Sequence, residues 1–276
     1  RVGAACAACL AFGGAHAGSS GDLTAAPADT GAPLLERPLP AQDALPDETL
    51  QREADWGRDF YFTRAIYSGY RGWRGRGSWA IDFPKADRQF LFILDRLLGL
   101  LDLYERENPV ALDDPELRRY PFLYMLEVGN MDLTEAEVVG LRGYLEAGGF
   151  LVVDDFWGER EWANFAYHMS RVLPDRKIEP IPLEHEIFHQ FYDIEEILQV
   201  PNVGNGVRGG PYTECWGCEP GVFGIFDDRG QLMVVINFNT DLGDAWEWSE
   251  NPYYPIDRSN YAYELAINLI IYAMSH

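Results

Sequence analysis

Three arginines within six residues, Arg71, Arg74 and Arg76, stand among glycines and aromatic rings between Tyr67 and Trp79. Guanidinium forks grip carboxylate or phosphate, and glycine leaves backbone N–H groups open to the same anions. The Trp79 and Tyr faces nearby suit stacking on a sugar or a base. Internal pairing with acids such as Asp82 and Asp154 is the competing use of these cations. A second constellation is acidic. Asp154-Asp155 closes a short apolar run, and Asp241 and Asp244 follow a later one. Carboxylates so placed can act as a general base, grip hydroxyls or supply hard oxygen ligands to Mg²⁺ or Ca²⁺. A single Asp equally often caps a helix or fixes a turn. Adjacent side chains at a strand end diverge, which predicts one of Asp154 and Asp155 facing a pocket and the other a support. Trp157, Trp162, Trp246 and Trp248 lie in or near the same stretches, where rings could wall a carbohydrate site or simply fill core.

Two other motifs carry less. His185-Glu186-Ile187-Phe188-His189 has the His-Glu-x-x-His spacing that binds zinc when it lies on a helix. Ile181-Pro182 just upstream favours an extended approach instead, with Ile187 and Phe188 docking on the core. Cys215-Trp216-Gly217-Cys218 sits among Gly209, Gly210, Pro211, Pro220 and Gly221. That context reads as a loop holding a local disulfide or two idle thiols. A redox pair usually opens a helix, and no second pair with zinc spacing accompanies this one.

The totals narrow the function classes. The chain has 276 residues, 47% hydrophobic, with 44 acidic and 22 basic side chains and a formal net charge of −22. Such a field repels phosphate backbones and anionic lipid, so nucleic acid is excluded as a partner. No segment reaches the roughly 18 apolar residues that spanning a bilayer requires. Residues 1–17 read as a signal-peptide remnant: Arg1, an apolar stretch to Phe12, then Ala15-His16-Ala17 before Gly18. Acylation at Cys6 or Cys9 is the lesser alternative, since neither has Leu three positions earlier. Residues 18–54, rich in Ala, Pro, Asp and Gly without apolar period, read as a disordered or tethering arm. A periplasmic or secreted location follows as the expectation.

From residue 55 to 276 a single α/β domain is expected, with strands and helices in alternation. Phe60–Ile66 reads as a strand and Ala86–Leu101 as a helix, with Phe90, Ile93, Leu94, Leu97, Leu98 and Leu101 at helical spacing. Phe122–Val128 is a buried parallel strand by its unbroken apolar run. Thr134 with Glu137 forms a capping box for a helix to Ala147, stopped by Gly148-Gly149. Phe150–Val153 is another strand, and Glu159–Val172 another helix. Val222–Phe226 and Leu232–Phe238 make a hairpin through Asp227-Asp228-Arg229-Gly230, and Tyr261–Met274 a final helix. This order implies a mostly parallel sheet covered on both faces, whose ligands sit beyond the strand carboxyl ends. The rule selects Tyr67–Phe83, Gly129–Asp132, Asp154–Glu159 and Asn239–Trp248, the stretches holding most of the unusual chemistry.

Three segments in those stretches, Gly75-Arg76-Gly77-Ser78-Trp79-Ala80, the run from Gly149 through Asp154-Asp155-Phe156-Trp157 to Gly158, and Asn239-Thr240-Asp241-Leu242-Gly243-Asp244, carry a likeness. They resemble an uncharacterised bacterial domain family assigned to the class I glutamine amidotransferase-like superfamily. The resemblance covers roughly Asp59 to His276 and implies a flavodoxin-like three-layer sandwich, but no activity. The superfamily's glutaminases need Cys on a sharp strand-to-helix turn with a His to activate it. Here Asp154-Asp155 holds that turn, so glutamine hydrolysis is not expected. The resembling family usually has Pro where Glu186 stands, which further argues against a zinc helix.

The resulting expectation is a domain that binds a polar or anionic small ligand, for instance glycan-derived, over Arg71, Arg74, Arg76, Trp79, Asp154, Asp155, Trp157 and Asp241. The alternatives are a metal-assisted or carboxylate-based hydrolase, with Asp154 or Asp155 as base and a divalent cation at Asp241 and Asp244, and a non-catalytic module of an envelope protein complex.

Overall fold

The computed structural model describes residues 57–69, 77–99 and 101–276. They form a seven-stranded sheet in the order β2-β1-β3-β4-β7-β6-β5. In chain order the elements are β1 (Thr63–Ile66), α1 (Lys85–Leu98), β2 (Asn108–Ala111), β3 (Phe122–Leu126), α2 (Glu135–Glu146), β4 (Phe150–Asp154), α3 (Gly158–Val172), β5 (Glu179–Pro180), α4 (Val203–Gly206), β6 (Gly221–Phe226), β7 (Leu232–Phe238), α5 (Leu242–Glu247) and α6 (Ile256–Ser275). The strands β2, β1, β3, β4 and β7 pair in parallel, while β6 and β5 continue the edge antiparallel.

Period-two alternation explains which side chain faces which layer. Phe122, Tyr124 and Leu126 of β3, with Phe150 and Val152 of β4, join residues of α1, α5 and α6 on one face. Leu123, Met125, Leu151 and Val153 point the other way, into the layer of α2 and α3. Both faces are therefore buried, which is why these strands read as continuous apolar runs. The same alternation sends Asp154, the last residue of β4, to the α5 side, beside Tyr124.

Several expected boundaries move. The first strand is shortened to Thr63–Ile66, because Phe60 makes only an isolated bridge to Leu103. The third ends at Leu126, not Val128, because Glu127 turns left-handed and starts a short 3₁₀ turn. The helix expected over Ala86–Leu101 ends at Leu98. β2 gave no apolar signal, being a four-residue edge strand containing Pro109. The stretch Asn239–Trp248 is not all loop: it contains α5, capped by Asp241, whose side chain accepts from the Asp244 N–H. The capping box at Thr134 and Glu137 is present as expected. So is the β6–β7 hairpin. Residues 1–17, 18–54 and the arginines at 71, 74 and 76 lie outside the described residues.

Candidate functional site

One buried cation organises the loop after β1. Arg64 and Asp87 of α1 are both 0% exposed and joined by Nε bonds of 2.9 and 3.1 Å and a further Nη2 bond. Arg64 Nη1 also donates to the carbonyls of Trp79 and Ile81, at 3.2 and 3.0 Å. Its guanidinium lies 5.2 Å from the Tyr124 ring centre. A desolvated guanidinium is held so only when its donors are satisfied. These bonds fix the backbone immediately before Asp82.

Asp82 is one of four non-glycine residues with positive φ among the described residues, at 59°. The others are Glu127 at 54°, Asp155 at 51° and Asn239 at 58°, directly after β3, β4 and β7. Left-handed backbone is sparsely populated outside glycine, and such strain concentrates where side chains must be aimed. Here it occurs at the carboxyl ends of three central strands and in the β1–α1 loop. Since β2 and β3 flank β1 on opposite sides, the strand order reverses between β1 and β3, the place where ligands settle in such sheets.

The twin aspartates diverge as expected. Asp154 is 0% exposed, and its Oδ2 accepts from Tyr124 Oη at 2.8 Å and from the Leu242 and Gly243 N–H groups at 2.8 and 3.1 Å. It is the support, tying β4 to the start of α5. Burial lifts its carboxyl to about 7 despite those donors. Asp155 turns toward the rim. Its Oδ1 accepts from Trp157 Nε1 at 3.0 Å, and its backbone bridges Glu127 N–H to its carbonyl and its own N–H to the Thr240 carbonyl. Burial, then the charges of Glu127 and Asp82, raises its pKa well above the usual carboxylate range.

Asp241 and Asp244, expected as metal ligands, stand together. Asp241 Oδ1 accepts from Asp244 N–H at 2.8 Å, and Asp244 Oδ2 from Val203 N–H at 2.5 Å. One oxygen each of Asp82, Asp241 and Asp244 lie within 4.8 Å of one another, and so do oxygens of Asp155, Glu214 and Asp241. The carboxyls of Asp82 and Asp241 are pushed well up, by burial first and then by acidic neighbours. Burial raises Glu127 to about 7, and burial with repulsion from Asp244 does the same for Glu247.

Beside this acidic rim lies a cavity of about 510 Å³ lined by Gly129, Asn130, Met131, Arg160, Asn164 and Tyr167, among others. Asn130 Nδ2 donates to Glu127 Oε2 at 2.7 Å, joining the two features. Gly69 bridges Met131 at the same edge, and Trp79 is half-buried against Phe83. The residues flanking the arginine run thus reach the strand-end side.

Of the two uses open to the tryptophans, core packing holds for Trp246 and Trp162. Trp246 is core, 1% exposed, packed on Phe62, Phe90 and Tyr124. Trp162 packs on Phe156, Phe223 and Phe238. These two rings build the layers. Trp157 keeps its link to Asp155, and Trp248 receives Lys85 Nζ 3.7 Å from its ring centre.

The His-Glu-x-x-His run is a short 3₁₀ turn, Glu186–Phe188, with Ile187 and Phe188 fully buried. His189 bonds the Leu183 carbonyl through Nε2 and Asp193 through Nδ1, so it does not share a helical face with His185. Cys215 and Cys218 form the local disulfide. Sequence reasoning missed Arg64, Asp87, Tyr124, Glu127 and Glu214 and gave Asp82 only a pairing role. The signal for Glu127 was available: it directly follows an apolar parallel strand, as Asp155 does.

Fold and site together define a mixed α/β domain, mostly parallel, with buried acids gathered over the carboxyl ends of its central strands. Residues 62–274 match the family described as Domain of unknown function (DUF4159), and the chain belongs to it. No curated protein matches the chain closely enough to lend it an activity.

Proposed function

We propose that this is an exported ligand-binding domain whose strand-end face takes a small polar molecule rich in hydroxyl or other hard oxygen groups. The observation that carries this reading is the convergence of three buried acids, Asp155, Asp241 and Asp244, with the half-buried Asp82, from three separate segments. Burial of carboxylates weakens a fold unless donors or cations meet them. Two of them, Asp82 and Asp155, sit on left-handed backbone, and gathering all four at one rim has the logic of a binding face. The 510 Å³ cavity, lined by none of these four acids but linked to Asp155 through Asn130 and Glu127, offers room of the size small ligands use. The acidic field disfavours a bare anion. An anionic ligand would need an accompanying cation or the help of Arg71, Arg74 and Arg76.

The strand order β2-β1-β3-β4 is consistent with a flavodoxin-like α/β arrangement. With Asp155 at the left-handed turn after β4 and both Cys215 and Cys218 in a disulfide, glutaminase chemistry lacks a nucleophile at that turn. The disulfide also supports an oxidising compartment, periplasmic or extracellular.

A thermal-shift screen of neutral oligosaccharides and sugar acids tests the reading. At least one should stabilise the wild type and fail with Asp155→Asn. If no compound shifts either protein, or both shift equally, the face is not the binding site. A second reading is a carboxylate-based hydrolase, favoured because burial lifts the carboxyl of Glu127, bonded to Asn130 at the cavity, to about 7, the range in which an acid or base works best. Turnover of a stabilising ligand, lost in Glu127→Gln while the thermal shift is kept, would select it.

A further inference from the structure

We propose that Asp82, Asp241 and Asp244 form a binding site for one hard divalent cation, of the Mg²⁺, Mn²⁺ or Ca²⁺ class. The inference rests on the reading of the strand-end face as a binding face and names what that face holds. Three carboxylate oxygens lie within 4.8 Å of one another, a separation that lets a single ion at 2.0–2.6 Å touch all three after small adjustments.

Acids alone would not suffice, but two further observations point to a missing partner. Asp82 Oδ2 and Asp154 Oδ1 are buried oxygens without a hydrogen-bond donor. Asp154 is 0% exposed, and its other oxygen is anchored on the N–H groups of Leu242 and Gly243, between Asp241 and Asp244. Buried carboxylate oxygens are rarely left unpaired, and each such exception calls for an unplaced donor or ion. The second observation is Gly243. A Cβ added there would meet Asp82 Oδ2 at 2.6 Å, Tyr124 Oη at 3.1 Å and Asp241 Oδ1 at 3.5 Å. The absent side chain lets these three oxygens close in on the start of α5, so the surroundings there are oxygen atoms. Oxygen-only surroundings select hard cations over zinc or copper, which prefer nitrogen and sulfur.

Lys85, three residues on from Asp82, is a cation that could compete. It instead pairs with Glu250 at 3.0 Å and lies over Trp248. Arg64 is consumed by Asp87. Among the described residues, then, the trio keeps its acidic field.

The test uses the full chain stripped with EDTA. Mn²⁺ is titrated while free Mn²⁺ is followed by electron paramagnetic resonance, and Tb³⁺ luminescence is excited through tryptophan, with Trp246 on the same helix as Asp244. The expected result is one saturable site per chain, weakened at least tenfold by Asp82→Asn and by Asp241→Asn. Both changes suit the backbone: Asn tolerates left-handed φ at 82 and caps a helix as well as Asp at 241. Asp244→Asn gives a third reading if either variant folds poorly by near-ultraviolet circular dichroism. Glu135→Gln, on an exposed side chain of α2, should bind as wild type. Absence of saturable binding, or binding indifferent to all three trio variants, overturns the cation site. If a polar ligand still binds fully in EDTA and still depends on Asp155, the binding face stands and the cation falls.

Discussion

Replacing Asp82 with Asn should change the sign of its effect on stability when a divalent cation is added. Without the ion, Asp82 faces Asp241 and Asp244 within 4.8 Å. Two unit charges at that separation repel by about 3.5 kcal/mol at an effective dielectric constant of 20. Bound protons and solvent relieve most of this, since burial and neighbouring acids already hold these carboxyls well above their usual pKa. Removing one member while keeping its shape should therefore stabilise the ion-free protein by about 1–2 kcal/mol, the portion not already relieved. For a chain of this size that raises Tm by about 2–6 °C. With cation at a hundred times its Kd, the wild type gains about 2.7 kcal/mol and the variant little. Asp82→Asn should thus melt above wild type in EDTA and below it in Ca²⁺ or Mn²⁺, by scanning calorimetry. A variant less stable in both conditions, or equally shifted by the ion, refutes the reasoning.

Three further outcomes follow from the same contacts. Arg64→Met should cost about 3–5 kcal/mol in urea unfolding by stranding Asp87, while Arg64→Met with Asp87→Leu should recover most of it; an additive double variant would show that the pair does not act as a unit. Because burial raises the folded-state pKa of Asp154 to about 7, the native protein holds that proton more tightly than the unfolded chain. Its favourable contribution is complete below about pH 4 and is lost as pH rises through 7, a span of about 4 kcal/mol. In EDTA, Asp154→Asn should flatten the stability–pH profile across that window. Reduction of the Cys215–Cys218 disulfide should cost about 2 kcal/mol for so short a loop without unfolding the sheet, read by denaturation in a dithiol reductant.

The parts of the fold visible in the sequence were those governed by local chemistry. Thr134 with Glu137 announced α2, the apolar runs of β3 and β4 announced buried parallel strands, and the Asp-Asp-Arg-Gly turn announced the β6–β7 hairpin. β2 and β5 were invisible because edge strands of four and two residues, each containing proline, need a neighbour to define them. α5 was hidden because six residues beginning with Leu-Gly show no helical period, and its cap, Asp241, equally suits a turn. At the site, strand ends predicted Asp154, Asp155, Asp241 and Asp244 together. What placed Asp82 beside them was a non-local contact, Arg64 reaching the Ile81 carbonyl, which no spacing within the loop reveals. Alternation alone could have told Asp154 from Asp155: the first shares its face with Phe150 and Val152, toward α5.

The most direct test is anomalous diffraction from crystals soaked in Mn²⁺. A single strong peak coordinated by Asp82, Asp241 and Asp244, absent from Asp241→Asn crystals, is the predicted result. Clear density for all three side chains with no peak between them would contradict the account.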